Sequence, residues 1–86
     1  MIVHTRLVVQ LKIFLHMKDI DRLATGVHAN PIVSDLINRA LRLRQFAGAN
    51  GPNIAILCDE NEGRELLDYA RVQCPECVEK IRSAFH

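Results

Sequence analysis

One strand-helix-helix pattern can be read twice along this chain, with few matched positions and with gaps. Counting from Pro31, the apolar residues Ile37, Ala40 and Leu41 follow at six, nine and ten; counting from Pro75, Ile81, Ala84 and Phe85 follow at the same offsets. Upstream, Asp21-Arg22-Leu23-Ala24 is echoed by Leu67-Asp68-Tyr69-Ala70, and before each lies an apolar run, Arg6 to Lys12 and Asn53 to Asp59. The implied period is about 44 to 47 residues, within the range of supersecondary repeats. The expected fold class is α+β, built from a small strand-helix-helix unit in the order β-α-α-β-α-α. The competing reading is a chance likeness between two ordinary segments of this type.

From Thr5 to Leu11 the residues alternate, with Leu7, Val9 and Leu11 on one side and Arg6, Val8 and Gln10 on the other, as in a strand with one buried face. From Ile13 the period changes. Ile13, Met17, Ile20, Leu23, Ala24 and Val27 recur at three and four and predict a helix ending near Gly26, although Ile13-Phe14-Leu15 can also extend the strand. Asn30-Pro31 reads as a helix start, because Asn accepts bonds from orphan amides and Pro suits the first helical position. Val33, Leu36, Ile37, Ala40, Leu41 and Phe46 supply its apolar stripe. Gly48-Ala49-Asn50-Gly51-Pro52 is the clear break. It divides a single domain, 1–86, into halves spanning 1–47 and 53–86. Asn53 to Cys58 predicts a second strand, Glu60 to Val72 a third helix and Pro75 to Phe85 a fourth.

A domain of 86 residues buries too little apolar surface to be comfortably stable alone, so a homodimer is expected. Aromatics are 5% and Trp is absent, which leaves the core to Leu, Ile, Val and Ala. The net charge of +1 hides an asymmetry: residues 1–50 hold seven basic and three acidic side chains, residues 51–86 four basic and seven acidic. A basic half beside an acidic half suits a protein that meets a polyanion on one side and a partner, or itself, on the other. Lys12, His16, Lys18 and Asp19 interrupt the one apolar stretch that approaches membrane length, and Met1 to His16 lacks a signal cleavage site. No membrane partner and a cytoplasmic location are expected.

The run Ser34-Asp35-Leu36-Ile37-Asn38-Arg39-Ala40-Leu41, the alternating strand Arg6 to Leu11 and the helix closing on Asp21-Arg22-Leu23-Ala24 resemble the ribbon-helix-helix DNA-binding family over residues 5–45. The resemblance implies an antiparallel ribbon whose outward residues enter the major groove. Arg6, Val8 and Gln10 would then face the bases, Arg and Gln being suited to guanine and adenine edges, and Lys12 would join them as a DNA-binding residue. Asn30 with the first amides of the second helix, and Arg39, would hold phosphates. The chain departs from the family in its longer interhelical connection, in Val8, and in Lys12 where a Pro or small polar residue is common. In a copied second half the strand would offer Asn53, Ala55, Leu57 and Asp59, which suit DNA poorly.

Cys74-Pro75-Glu76-Cys77 is the chain's one chemical motif. A zinc site needs four ligands, and Cys58 with scattered histidines must complete it. Buried structural thiols, with Cys74 capping and Cys77 packing, are the simpler assignment. No metal and no cofactor are therefore expected, with Cys58, Cys74 and Cys77 as the metal candidates. Phosphate loops, HExxH patterns and nucleophile elbows are missing, so an enzyme is not expected. Three readings follow: a small DNA-binding transcription regulator or antitoxin-like protein whose residues 53–86 serve oligomerisation or partner capture; a non-enzymatic α/β protein-interaction module; and a zinc- or thiol-dependent protein.

Overall fold

A computed structural model of the chain describes residues 10–26, 30–47 and 53–85. Its elements are β1 (Gln10–His16), α1 (Met17–Ala24), α2 (Pro31–Ala47), β2 (Asn53–Asp59), α3 (Glu60–Gln73), a 3₁₀ turn (Pro75–Cys77) and α4 (Val78–Arg82). The expected β-α-α-β-α-α order is present. Arg6 and Val8, with the beginning of the first expected strand, lie outside the described residues, as do the side chains of Arg44 and Phe46.

The two strands pair with each other, antiparallel and within one chain, from Gln10↔Asp59 to His16↔Asn53 with Ile13↔Ile56 at the centre. Leu11, Ile13 and Leu15 on β1 and Ile54, Ile56 and Cys58 on β2 are buried, while Gln10, Lys12, Phe14, Asn53 and Leu57 on the opposite face are exposed. Ile13, Phe14 and Leu15 thus belong to the strand and not to the first helix. Their alternating burial satisfies a period of two, and the helix cannot begin before its cap.

That cap is His16. Its ring accepts from the Lys18 amide at 3.1 Å, and the Asp19 carboxylate accepts from the His16 amide at 3.0 Å. The second half repeats the device: Asp59 accepts from the Glu62 amide at 2.8 Å, and Glu62 accepts from the Asp59 amide at 2.9 Å. Both are capping boxes, which satisfy two orphan amides reciprocally. β2 ends 43 residues after β1 (59 − 16) and α3 begins 43 after α1 (60 − 17), while the two proline-initiated segments stand 44 apart (75 − 31). The structural repeat is therefore tighter than the sequence echo of Asp21–Ala24 with Leu67–Ala70 suggests. That echo slips by three because α3 has 14 residues and α1 has 8.

The halves interlock. α2 lies against β2 and α3, and α4 lies against β1 and α3, so each half's second helix covers the other half's strand. A single core results, with Ile13, Leu15, Ile20, Leu23, Leu36, Leu66 and Ile81 almost wholly buried in it. Val33, Ile37 and Ala40 are buried as the helical stripe requires, and Leu41 is half-buried.

α1 is short, and its last carbonyls are satisfied from α3. Tyr69 donates its hydroxyl to Leu23 O, and Gln73 donates Nε2 to Arg22 O at 3.2 Å and to Thr25 Oγ1 at 2.9 Å. A Cβ on Gly26 would fall on the Tyr69 hydroxyl and the Gln73 amide. Gly26 is thus required by this close approach, and Thr25, in a right-handed conformation, closes the helix. The fourth expected helix is divided into the 3₁₀ turn and the five-residue α4, since the Cys74–Cys77 disulfide clamps its opening turn. Among the described residues no helix is long and apolar enough to cross a membrane.

Candidate functional site

The outward face of the ribbon is the first candidate surface. Phe14 is 56% exposed and stands opposite Ala55, while Leu57, 48% exposed, stands opposite Lys12. Phe14 and Leu57 are therefore diagonal neighbours across the two strands, near enough to form one apolar strip. The Lys12 ammonium sits 5.6 Å from the centroid of the Phe14 ring, within cation–π range. This face is apolar at its middle, with Gln10 and Lys12 as its polar contribution from β1.

The strip continues into a groove of about 480 Å³ lined by Lys12, Phe14, Glu60, Arg64, Ala84 and Phe85 among others. β1 lines the groove and β2 does not. Among the described residues the sheet has two strands, so no described strand pairs with the second edge of β1. The β2 strand is treated differently, because Arg39 donates Nη1 to Leu57 O at 3.2 Å.

The expected phosphate ligands are engaged elsewhere. Asn30 accepts from the amides of Ile32 at 2.9 Å and Val33 at 3.5 Å, and donates its own amide to the Glu65 carboxylate. A carboxylate thus stands beside the opening of α2, where a phosphate would have to sit. Arg39 is held by Asp35 at 2.7 Å and by Glu62 at 3.2 Å. Its hydrogen bond to Asp35, opposed by partial burial and reinforced by both acids, raises its affinity for the proton further. Gln10 and Lys12 are on the exposed face as expected, Arg6 and Val8 lie outside the described residues, and no ion pair among the described residues holds Lys12, Lys18 or Arg42.

The charge asymmetry is offset in part between the halves. Arg22 pairs with Glu76 and Arg39 with Glu62, while Lys80 of the acidic half returns to Asp19 of the basic half. What reads in sequence as a basic face for a polyanion is in part an internal seam.

The second candidate surrounds the cysteines. Cys74 and Cys77 are joined by a disulfide and both are fully buried. Cys74 stands at the N-cap of the 3₁₀ turn, but its sulfur makes no capping bond. Asp19, 7% exposed, brings a carboxylate oxygen within 4.8 Å of both sulfurs. Burial alone would push that carboxyl up; the Lys80 ammonium at 2.6 Å and the His16 amide outweigh it and hold the group below its ordinary value. Cys58 takes no part in this cluster. It lies under the sheet, where burial, with Glu62 and Asp59 nearby, pushes its thiol up to about 11. Sequence reasoning missed Asp19, since 55 residues separate it from Cys74 (74 − 19) and nothing local marks it as a neighbour of the cysteines.

Comparison with protein-family models, with curated proteins and with solved structures found no match.

Proposed function

We propose that the chain is a non-enzymatic interaction module that takes an extended apolar protein segment along β1. The observation that carries this reading is the continuity of the exposed Phe14–Leu57 strip with the groove lined by β1, a strand whose second edge meets no other strand among the described residues. Strand addition at such an edge draws affinity from main-chain bonds and specificity from alternate side chains. Phe14 and Phe85 supply apolar walls, and Lys12, Glu60 and Arg64 supply a polar rim. A displayed library of short peptides, selected on the full chain, tests it. Apolar extended sequences should be enriched, and Phe14→Asp should weaken them roughly 30-fold, the ~2 kcal/mol of a truncated hot spot. Equal enrichment on the native chain and on the Phe14→Asp chain would remove the proposal.

The interlocked frame favours a second reading, as a small DNA-binding regulator of ribbon-helix-helix type. An antiparallel ribbon followed on each strand by two helices is what the family resemblance implies, and here one chain supplies both strands. Gln10 and Lys12 would then read base edges, and an anisotropy titration against mixed duplexes at low salt should show binding that falls steeply as salt rises. Binding that survives Lys12→Ala and Gln10→Ala unchanged would remove the ribbon from that role.

A further inference from the structure

The disulfide cluster is not used by either binding surface, and its composition is unusual for a purely structural clamp. Two sulfurs and one carboxylate, all buried, converge at the joint between α1, the end of α3 and α4. A disulfide needs no buried anion beside it. A buried carboxylate is costly unless paired, and this chain spends a lysine from another helix on it.

We propose that reduction of the Cys74–Cys77 bond opens a three-ligand site for a soft divalent cation, Zn²⁺ being the type, with Cys74 Sγ, Cys77 Sγ and an Asp19 carboxylate oxygen as donors. The chemistry proceeds in two balanced steps. Two equivalents of a thiol reductant give up two electrons and two protons, the S–S bond breaks, and the products are the protein dithiol and the oxidised reductant disulfide. The cation then displaces both thiol protons to solvent and binds two thiolates and one carboxylate. This leaves the fourth tetrahedral position to water, as in sites with three protein ligands.

The geometry suits this. Zinc bonds of ~2.0–2.3 Å place tetrahedral donors roughly 3.5–3.8 Å apart. The three donor atoms already lie within 4.8 Å of one another, so the cysteine pair has to open only as far as cleavage of its bond permits. The three-residue separation holds both sulfurs on one turn. Lys80 now supplies the positive charge at Asp19, and its side chain is 47% exposed, so its ammonium can leave for solvent when a cation arrives. Glu76, 3.8 Å from Cys74 Sγ, is paired with Arg22 and stays outside the donor set. Cys58 is excluded because it lies apart from the cluster.

The probe is Co²⁺, added to the full chain with and without prior reduction by a phosphine, with far-ultraviolet circular dichroism recorded on each sample. The reduced chain should develop sulfur-to-cobalt charge transfer that saturates at one ion per chain and disappears when Zn²⁺ is added; the oxidised chain should develop none. Cys77→Ser should abolish the band, and Cys58→Ala should keep it. Asp19→Asn should weaken binding by more than the ~100-fold upper end of what loss of an outer-shell partner costs, and Lys80→Met should leave affinity equal or tighter. X-ray absorption of the zinc adduct settles the donor count even if an Asp19 variant fails to fold: two sulfurs at ~2.3 Å with oxygen donors support the site. A reduced chain that stays folded and shows no band with Co²⁺ in excess overturns the proposal. So does a reduced chain that unfolds, or a sulfur count other than two.

Discussion

The Lys80 ammonium lies 2.6 Å from the Asp19 carboxylate and joins the last helix of the second half to the first helix of the first. A reciprocal pair exists in the other direction, where Arg39 of α2 meets Glu62 of α3 at 3.2 Å. In both cases the acid is the third residue of its helix and closes the capping box. One carboxylate therefore closes its own strand-to-helix junction and receives a cation from the opposite half. The two cations occupy different positions along their helices, so the likeness is one of arrangement more than of sequence.

The Asp19 pair should give way only at strongly acid pH, because its carboxyl is held below the ordinary value. Burial opposes ionisation, but the Lys80 hydrogen bond, the His16 amide and the two neighbouring charges hold the carboxyl below its ordinary 3.8. A folded-state value below the unfolded one contributes stability that is present above pH 3.8 and is lost as pH falls through the folded value. Urea melts from neutral to acid pH should show a steeper acid loss in the native sequence than in Asp19→Asn. At neutral pH that variant should cost ~1.5–3 kcal/mol, the range for a hydrogen bond to a charged group. Identical acid limbs in the two proteins would show that the pair contributes nothing.

Core packing should punish truncation of α2 in proportion to burial. Ile37 is 3% exposed, so Ile37→Ala should destabilise by roughly 2–5 kcal/mol. Leu41 is half-buried, and Leu41→Ala should cost clearly less. Chemical denaturation of the two variants checks the order; a larger loss at Leu41 would mean that the stripe faces another way.

Gly63 lets β1 approach α3. A Cβ there would stand 2.6 Å from Leu11 Cδ1 and 3.0 Å from Phe85 Cζ. Gly63→Val should therefore lower stability by about 1–3 kcal/mol through overpacking, although valine is the better helix former of the two. A raised melting temperature would contradict the close approach.

Cys58 should be inert in the native state. Its thiol is buried and pushed up to about 11, which leaves almost no thiolate at pH 8. Alkylation followed by mass spectrometry should find it unmodified in native protein and modified once the chain is unfolded. Rapid native labelling at that site would place the sulfur at the surface.

Much of the fold was legible from periodicity. The limits of β2, the stripe of α2 and the burial of alternate strand residues are all set by neighbours in sequence, where spacing carries the information. Ile13-Phe14-Leu15 was ambiguous because three consecutive apolar residues fit a strand end or a helix start. The decisive residue is His16, whose capping role depends on Asp19 and has a weaker sequence signature than Ser, Thr, Asp or Asn. The site was less legible. Arg39 looks like a phosphate ligand until β2 and α3 bring Leu57 O and Glu62 to it, and nothing beside Asp19 in sequence announces the Lys80 and the cysteines that the last segment brings to it. Contacts between residues far apart in the chain have no local signature.

The crossing of second helices over the opposite strands has a consequence for assembly. Separated from its sister, either half would hold an apolar strand face whose cover is encoded in the other polypeptide segment. Two chains can exchange whole halves across the Gly48–Pro52 junction and rebuild every one of these contacts between molecules. The closed monomer and the swapped pair would then bury the same contacts, so the choice between them falls to protein concentration.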